Sequence, residues 1–171
     1  MARPLARVPR PVVWTNQTIK LYHGTLTVHV PSLLAAINPF HGRVDTDFGQ
    51  GFYTTTKEKQ PRDWARQLAV RLGGSPAVIC FDVDRKKLAV LDSLWFVRGR
   101  SDAEDYWSFV SHARVGGAHG KIPKGDWYDI VVGPVTASWR RRYAIPDSDQ
   151  IGFHTSTATA VLDRSPKRRL P

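Results

Sequence analysis

Cysteine is almost absent from this chain: among 171 residues the only one is Cys80, which lies in the apolar run 77–81. A single thiol excludes an internal disulfide and a multi-cysteine zinc site, and a thiol in an apolar strand is most often structural. A free thiol also fits the cytoplasm, where we expect the protein to reside. We predict no bound metal, because His29, His112 and His119 show no ligand spacing with cysteine or carboxylate motifs.

Long apolar stretches are missing as well. No run approaches the roughly 20 residues that a membrane helix needs, so we expect no membrane partner. The first ten residues contain arginine and proline, and no apolar segment follows them. This composition argues against a secretory signal.

Acidic residues are few relative to basic ones: 15 Asp and Glu stand against 25 Lys and Arg, which gives a net charge of +10. A positive surface attracts phosphates through its long-range field. Seven of the cations lie in the two end segments, 1–10 and 164–169, and without them about +3 remains. The charge therefore supports a nucleic-acid target only weakly, and ordinary solubility with two basic ends explains it equally well.

The rest of the composition is that of a folded domain, with 42% hydrophobic residues and six tryptophans. The length fits one domain, and the chain contains no internal repeat. We predict a flexible basic N-terminal segment at 1–17, a single domain at 18–162 and a basic C-terminal tail at 163–171.

Apolar periodicity and turn residues predict the elements of this domain. Strands are predicted at 18–23, 51–55, 77–82, 88–91, 128–132 and 150–153. Helices are predicted at 32–37, from Thr56 or Pro61 to Leu72, at 103–111 and at 155–162. Helices and strands do not alternate regularly, so the sequence indicates an α+β domain with mostly antiparallel strand pairing.

Two short segments carry most of the functional information. Residues 21–25 read Leu-Tyr-His-Gly-Thr, a strand that ends in a His-Gly turn. Residues 47–55 read Asp-Phe-Gly-Gln-Gly-Phe-Tyr-Thr-Thr, which places two glycines and two aromatic residues at one tight corner.

These segments resemble the poly- and mono-ADP-ribosyltransferases of the diphtheria-toxin type, which combine a His-Gly-Ser/Thr strand end with a Phe-Gly-x-Gly-Ile/Phe-Tyr corner. In that family a second aromatic residue follows eleven residues after the corner tyrosine, and here this position is Trp64. A late strand there begins with a catalytic glutamate or a substitute, and here the best match is Gln150. The chain from 18 to 162 also resembles the bacterial domain-of-unknown-function family 3990, whose members are thought to be transferase-like and in some cases lie beside toxin–antitoxin genes.

The resemblance implies an ADP-ribosyltransferase-like fold with split antiparallel sheets and short helices, and it implies NAD as co-substrate. His23 would bond ribose hydroxyls, Gly24 would offer its backbone to the carboxamide, and Thr25 would add a hydroxyl. Tyr53 and Trp64 would wall the nicotinamide ring, whose positive charge an aromatic face favours. The catalytic residues would be His23, Tyr53 and Gln150. The other residues expected to bind NAD belong to the glycine-rich corner: Phe48, Gly49, Gly51, Phe52 and Thr54.

Structural explanations exist for the same residues. A His-Gly pair can be a simple turn, Tyr53 a packed strand residue, and Trp64 a core residue on a helical stripe. Trp139 with Arg140, Arg141 and Arg142 is either packing with solvated charge or a contact for a nucleic-acid base. Three groups near the late strand are candidate bases, although a solvated loop or strand-end position explains each of them: Asp147, Asp149 and His154.

Gln150 leaves the function open between classes. A glutamine donates and accepts hydrogen bonds but has no charge and cannot act as a base. We therefore expect a mono-ADP-ribosyltransferase, a bacterial toxin or defence effector that modifies nucleic acid or protein and is held in check by a small antitoxin-like partner. The alternative is a catalytically silent NAD or ADP-ribose-binding module. A third possibility is an RNA 2′-phosphotransferase, whose extra arginine and histidine motifs we do not find.

Overall fold

Fourteen helices and strands are found in the computed structural model of the chain, which describes residues 17–97, 103–116 and 128–171. The strands are β1 (Thr18–Leu26), β2 (Phe52–Thr54), β3 (Pro76–Asp84), β4 (Ser93–Trp95), β5 (Ile130–Gly133), β6 (Thr136–Ser138), β7 (Tyr143–Ala144), β8 (Gln150–Phe153) and β9 (Lys167–Arg169). The helices are α1 (Val30–Ala35), α2 (Lys59–Leu72), α3 (Arg85–Leu88), α4 (Ala103–Arg114) and α5 (Ser156–Asp163). Short 3-10 turns lie at Thr27–His29 and Pro39–His41.

The strands form two main sheets and a small hairpin. The first sheet has the order β1-β3-β9, the second has the order β2-β8-β5-β4, and β6 pairs with β7. All of these pairs are antiparallel except β4 with β5. The prediction of an α+β domain with mostly antiparallel strands and short helices is therefore confirmed.

The main core lies between the two sheets. Strand residues point alternately to the two faces of a sheet, so every second apolar residue reaches this core. The first sheet supplies Leu21, Ile79, Phe81 and Val83, and the second supplies Phe52, Ile130, Ile151 and Phe153. Ala158 and Leu162 of α5 close one side of it. A second core forms on the opposite face of the second sheet, where α4 packs Tyr106 and Val110 against Phe48 and Val131.

Helix α2 packs against β1 and β3. The approach is closest at Gly24, where an added Cβ would lie 2.2 Å from the carbonyl oxygen of Pro61. Any side chain at position 24 would therefore push the first turn of α2 away from β1. Glycine at this position follows from helix packing, whatever else the residue does.

The two main sheets meet along β1 and β2 at a single bridge. Tyr22 and Thr55 exchange both backbone hydrogen bonds, at 2.9 and 3.0 Å. Because successive residues of a strand direct their N–H and C=O groups to opposite sides, those of Gly24 face the same side as those of Tyr22, away from β3. Beyond this bridge, the contact between the two strands is a hydrogen bond from the His23 imidazole to the Tyr53 carbonyl oxygen of β2.

Two predicted segments have a different structure from the one expected, and three short strands, β4, β6 and β7, were not predicted. The prediction of a strand at 88–91 is wrong: Asp84 accepts a hydrogen bond from the Lys86 N–H and caps α3, and a turn follows. Residues 167–169, inside the predicted basic tail, form β9 on the edge of the first sheet. The predicted N-terminal segment lies, apart from Gln17, outside the described residues.

Strand β9 belongs to the sheet because its ends are anchored. Leu170 donates its N–H to the Val78 carbonyl at 2.8 Å and packs against the cluster of Tyr22, Val78 and Cys80. The Lys167 ammonium lies 2.8 Å from the Asp163 carboxylate. These contacts attach the C-terminal residues to β3 and α5.

We predict that removing residues 167–171 lowers the thermal midpoint of unfolding by about 5–10 °C. Leu170→Ala alone should lower the free energy of unfolding by about 1–2 kcal/mol, because it removes apolar contact with the Tyr22 cluster. Leu72→Ala is the matched control, since that side chain is 65% exposed, and it should change the value by less than about 0.5 kcal/mol. Thermal and denaturant unfolding would measure both, and an unchanged midpoint after truncation would contradict the role of β9.

Candidate active site

Tyr53 is held by the loop that precedes it. Its hydroxyl donates to the Gly49 carbonyl at 2.6 Å, lies 2.6 Å from the Thr46 hydroxyl and accepts from the Phe48 N–H at 3.2 Å. Gly49 has φ of +76°, a backbone conformation that glycine adopts without strain. Burial raises the pKa of Tyr53 well above its usual value, so the phenol stays neutral. The hydroxyl thus fixes the loop, and only the ring face remains for another contact.

His23 joins β1 to β2 through its imidazole. Nδ1 lies 2.7 Å from the Tyr53 carbonyl oxygen, and the ring stacks on Phe52 with centroids 4.2 Å apart. Since a carbonyl only accepts, Nδ1 carries the proton and Nε2 has the lone pair. Burial lowers the pKa of His23 to about 4, although the bond to Tyr53 acts in the opposite direction. Near neutral pH the residue is therefore an uncharged imidazole with an acceptor at Nε2.

Nε2 of His23 is available for a ligand. It has no hydrogen-bond partner within residues 17–97, 103–116 and 128–171, and it is not among the fully enclosed polar atoms. Gly24, next in the chain, directs its backbone N–H and C=O away from β3, and Thr25 is buried in the same strand. Beyond the bridge, where β1 and β2 separate, His23 thus provides a hydrogen-bond acceptor. Gly24 provides a backbone N–H and C=O that face away from β3.

Gln150 begins β8 on the face that carries the Tyr53 ring. Tyr53 pairs with Gly152, and Gln150 lies two residues earlier, so both side chains project from one face of the second sheet. Gln150 is 8% exposed. Its Nε2 donates to the Asp47 carboxylate at 2.6 Å and to the Pro134 carbonyl at 2.9 Å.

Asp47 is the buried charge behind Gln150. The carboxylate is 3% exposed and accepts four hydrogen bonds. Arg114 of α4 donates two at 2.9 and 2.5 Å, the Thr136 N–H donates one at 2.8 Å, and Gln150 donates the fourth. Tyr106 extends the network by donating to the Pro134 carbonyl at 3.0 Å. A buried carboxylate needs this many donors, because burial without them is costly.

Sequence reasoning gave Asp47 and Arg114 no role. The aspartate opens the 47–55 motif, so its position beside Gly49 was a usable signal, and a carboxylate directly before a buried phenylalanine indicates a paired charge. Nothing in the sequence indicates its partner, because Arg114 lies 67 residues away and belongs to another element.

Two of the three candidate bases near β8, Asp149 and His154, have structural contacts. Asp149 accepts hydrogen bonds from the hydroxyls of Thr55 and Thr56 and from the Thr56 N–H at 3.0 Å, which ties β8 to the start of α2. His154 is 2% exposed, its Nδ1 lies 2.7 Å from the Gln50 carbonyl oxygen, and burial lowers its pKa to about 4. Asp147 is an exposed turn residue with φ of +51°.

The two glycines beside His154 are required by its ring. An added Cβ at Gly51 would lie 2.7 Å from Nδ1, and one at Gly152 would lie 2.5 Å from Nε2. Neither position tolerates a side chain while His154 stays in place. Gly51 of the corner motif is therefore explained by packing against β8.

Some predicted site residues are buried in a core or lie apart from the Tyr53 ring. Phe48 is fully buried in the second core, and Phe52 and Thr54 are buried in β2. Trp64 is 48% exposed on α2 and its ring contact is with Arg71, whereas the Tyr53 ring contacts Phe48 and His154. Within the described residues, Tyr53 and Trp64 are not brought into ring contact.

The Trp139 patch lies on the hairpin of β6 and β7. Arg140 stacks over the Trp139 ring at 5.3 Å, and Trp139 packs against the second core. Arg142 pairs with Glu104 at 2.8 Å, and Arg141 is exposed. The structure therefore brings the Trp139 ring and the three arginines onto one hairpin, and Glu104 neutralises the charge of Arg142.

Other surface features lie elsewhere. A concave region on the outer side of α2 is lined by charged residues, Glu58, Lys59, Arg62, Asp63 and Arg66, and contains none of the predicted site residues. The described residues contain no group of three or more histidine, cysteine or carboxylate side chains arranged for a metal ion. None of the described helices has both the length and the apolar character that crossing a bilayer requires.

The chain belongs to a family described as a protein of unknown function (DUF3990), which matches residues 19–144. The matched part includes His23, the glycine-rich corner, Asp47 and Arg114, and it ends before Gln150. No curated protein matches the chain. The match thus confirms the resemblance to the domain-of-unknown-function family 3990. The family description assigns no activity.

We predict that Tyr53→Phe lowers the free energy of unfolding by about 1–3 kcal/mol, because the Phe48 N–H loses its bond to the phenol. Tyr143→Phe is the matched control: that ring is 57% exposed, and the change should be below about 0.5 kcal/mol. Denaturant unfolding measures both. Equal effects would show that the hydroxyl does not hold the loop.

Stability should fall as the pH decreases from about 6.5 to about 4. In the unfolded chain a histidine titrates near 6.5, whereas the pKa of His23 and of His154 is lowered to about 4 in the fold. Between these values the unfolded state binds more protons, so protonation favours unfolding. The thermal midpoint measured from pH 7.5 to 4.5 tests this, and a midpoint that stays constant over that range would contradict it.

Proposed function

We propose that this chain binds NAD between β1 and β2 and acts as an NAD-dependent mono-ADP-ribosyltransferase. The observation that supports this best is a pair of neutral hydrogen-bond acceptors on β1 and β8, the two strands that neighbour β2. His23 offers Nε2 and Gln150 offers Oε1, and each has its donor side tied to the protein. Acceptors of this kind suit the hydroxyl groups of a sugar.

NAD would supply the glycosidic bond and its cationic nicotinamide leaving group. In the proposal, His23 accepts a ribose hydroxyl, Gly24 offers its backbone edge to the carboxamide, and Thr25 adds a hydroxyl. The Tyr53 ring covers one face of the nicotinamide. Trp64 would supply the second face from α2, where nearly half of its surface is exposed. Gly49 and Gly51 shape the corner that holds Tyr53 in place.

The charge distribution limits the chemistry that this site offers. Gln150 has no charge, and the Asp47 carboxylate behind it already accepts four hydrogen bonds. Asp149 is occupied by Thr55 and Thr56, and His154 is neutral near pH 7. Apart from His23, whose Nε2 the proposal assigns to a ribose hydroxyl, none of these described groups is free to act as a base, so the acceptor must bring a nucleophile that is already reactive. We therefore expect a single transfer and no chain of ADP-ribose units.

Gln150 also supports a second candidate, a silent module that binds NAD or ADP-ribose. A glycosidic bond breaks through a positively charged sugar, which a nearby carboxylate stabilises. A glutamine held by Asp47 places a neutral oxygen there instead. Binding without transfer is the expected behaviour if that oxygen is insufficient.

The acceptor would be nucleic acid or protein. Trp139 with Arg140 and Arg141 presents an aromatic ring and two cations on one hairpin, a combination that holds single strands by stacking and charge. The net charge of +10 also favours binding of the phosphates of a nucleic acid. A cytoplasmic toxin or defence effector restrained by a small antitoxin-like partner fits this proposal.

The test is to incubate the purified protein with NAD labelled on its adenylate half, together with DNA, RNA and cell protein in separate reactions. Calorimetry measures NAD binding separately. We expect label on one class of polymer, and His23→Ala should weaken NAD binding about 3–10-fold through loss of one acceptor. Gln150→Ala should reduce transfer more than binding.

The matched control is His29→Ala, which removes an exposed imidazole from the 3-10 turn after β1. It should leave NAD affinity and transfer unchanged. Absence of NAD binding by the unaltered protein would refute both candidates, whereas binding without label would favour the silent module.

A further inference from the structure

The amide of Gln150 has only one possible orientation. Its two close partners, the Asp47 carboxylate and the Pro134 carbonyl, are both acceptors. The group that faces them must therefore be the NH2, and the carbonyl oxygen Oε1 must point elsewhere. Oε1 has no hydrogen-bond partner in the described part of the chain and is not fully enclosed.

We infer that Asp47 is a positioning residue for Gln150, which fixes the amide so that Oε1 alone is presented to a bound hydroxyl, and that Asp47 is the reason why a glutamine occupies this position. The inference rests on the proposed function only in the identity of the hydroxyl, which would be that of a ribose. The orientation of the amide is a property of the protein alone.

Asp47 can hold Gln150 because its own position is fixed from two other elements. Arg114 binds it from α4, and the Thr136 N–H binds it from β6. The carboxylate oxygen that accepts from Thr136 is the one that accepts from Gln150. The acceptor that orients the amide is therefore part of a rigid network and does not depend on solvent.

The same network disfavours a glutamate. The buried Asp47 and the partly exposed Arg114 form a pair with no net charge, and a neutral amide completes it. Gln150→Glu would bring a second carboxylate to the place where Nε2 now lies, 2.6 Å from an Asp47 oxygen and 2.9 Å from the Pro134 carbonyl oxygen. Three acceptors would face each other with no proton between them, which is unfavourable in a buried site.

A pairwise exchange tests the coupling. Gln150→Glu alone should lower the thermal midpoint by about 10 °C, as expected for an unpaired buried charge. Adding Asp47→Asn to Gln150→Glu should restore several degrees, because an amide at position 47 can donate to the new carboxylate. The matched control is Gln17→Glu, the same change of charge at an exposed position, which should move the midpoint by about 1–2 °C at most.

Nuclear magnetic resonance of the uniformly 15N-labelled protein tests the orientation. The side-chain NH2 signals of Gln150, assigned by their loss in Gln150→Met, should exchange with water at least tenfold more slowly than those of Gln17. Asp47→Asn should remove this protection. A role in packing alone would not produce protected amide protons that depend on Asp47.

NAD binding adds the functional readout. Asp47→Asn should raise the dissociation constant for NAD about tenfold, with the fold intact as judged by the backbone spectrum. If the unaltered protein does not bind NAD, the proposed function fails, while the exchange rates and the double variant still decide the role of Asp47. Additive effects in the double variant, or Gln150 protons that exchange as fast as those of Gln17, would overturn the inference.

Discussion

The buried carboxylate of Asp47 is the interaction on which the candidate site depends. Its four donors come from α4, β6 and β8, and the residue itself lies in the loop that holds Tyr53. If this charge were left without donors, its desolvation would cost several kcal/mol. The loop, the helix and two strands are therefore held in one arrangement, and the positions of Tyr53 and Gln150 follow from it.

Five of the nine strands (β1, β2, β3, β5 and β8), most helices and the two opening motifs could be predicted from the sequence because their signals are local. A continuous apolar run marks β3, and the aromatic corner marks β2. Strands β4, β6 and β7 have only two or three residues each, too few to show a pattern. Strand β9 could not be predicted, because its three residues are all cations and its place in the sheet comes from anchoring by its neighbours. The strand predicted at 88–91 failed because the capping side chain of Asp84 decides that segment, and an apolar run gives no sign of it.

In the candidate site too, the residues within local motifs could be predicted and the long-range contacts could not. His23, Gly24, Tyr53 and Gln150 were found through motifs, whereas the network around Gln150 joins residues 67 to 103 positions apart in the chain. Such pairings arise only in the folded state. The glycines show a further limit of motif reasoning. Gly24 was predicted to offer its backbone to NAD and Gly51 to form part of the NAD-binding corner, and the structure shows that each is already required by a protein neighbour, Pro61 for one and His154 for the other.

His154 lies between two glycines that are far apart in sequence, Gly51 from the corner motif and Gly152 from β8. The flat ring fits against the backbone at both glycines, so the sizes of the residues at the three positions depend on one another. A larger residue at either glycine demands a smaller one in place of the histidine. His154, which lies beyond the part of the chain that the family matches, thus packs directly against a glycine inside that part. A smaller residue in place of the histidine, with both glycines kept, would leave a cavity behind the corner that holds Tyr53.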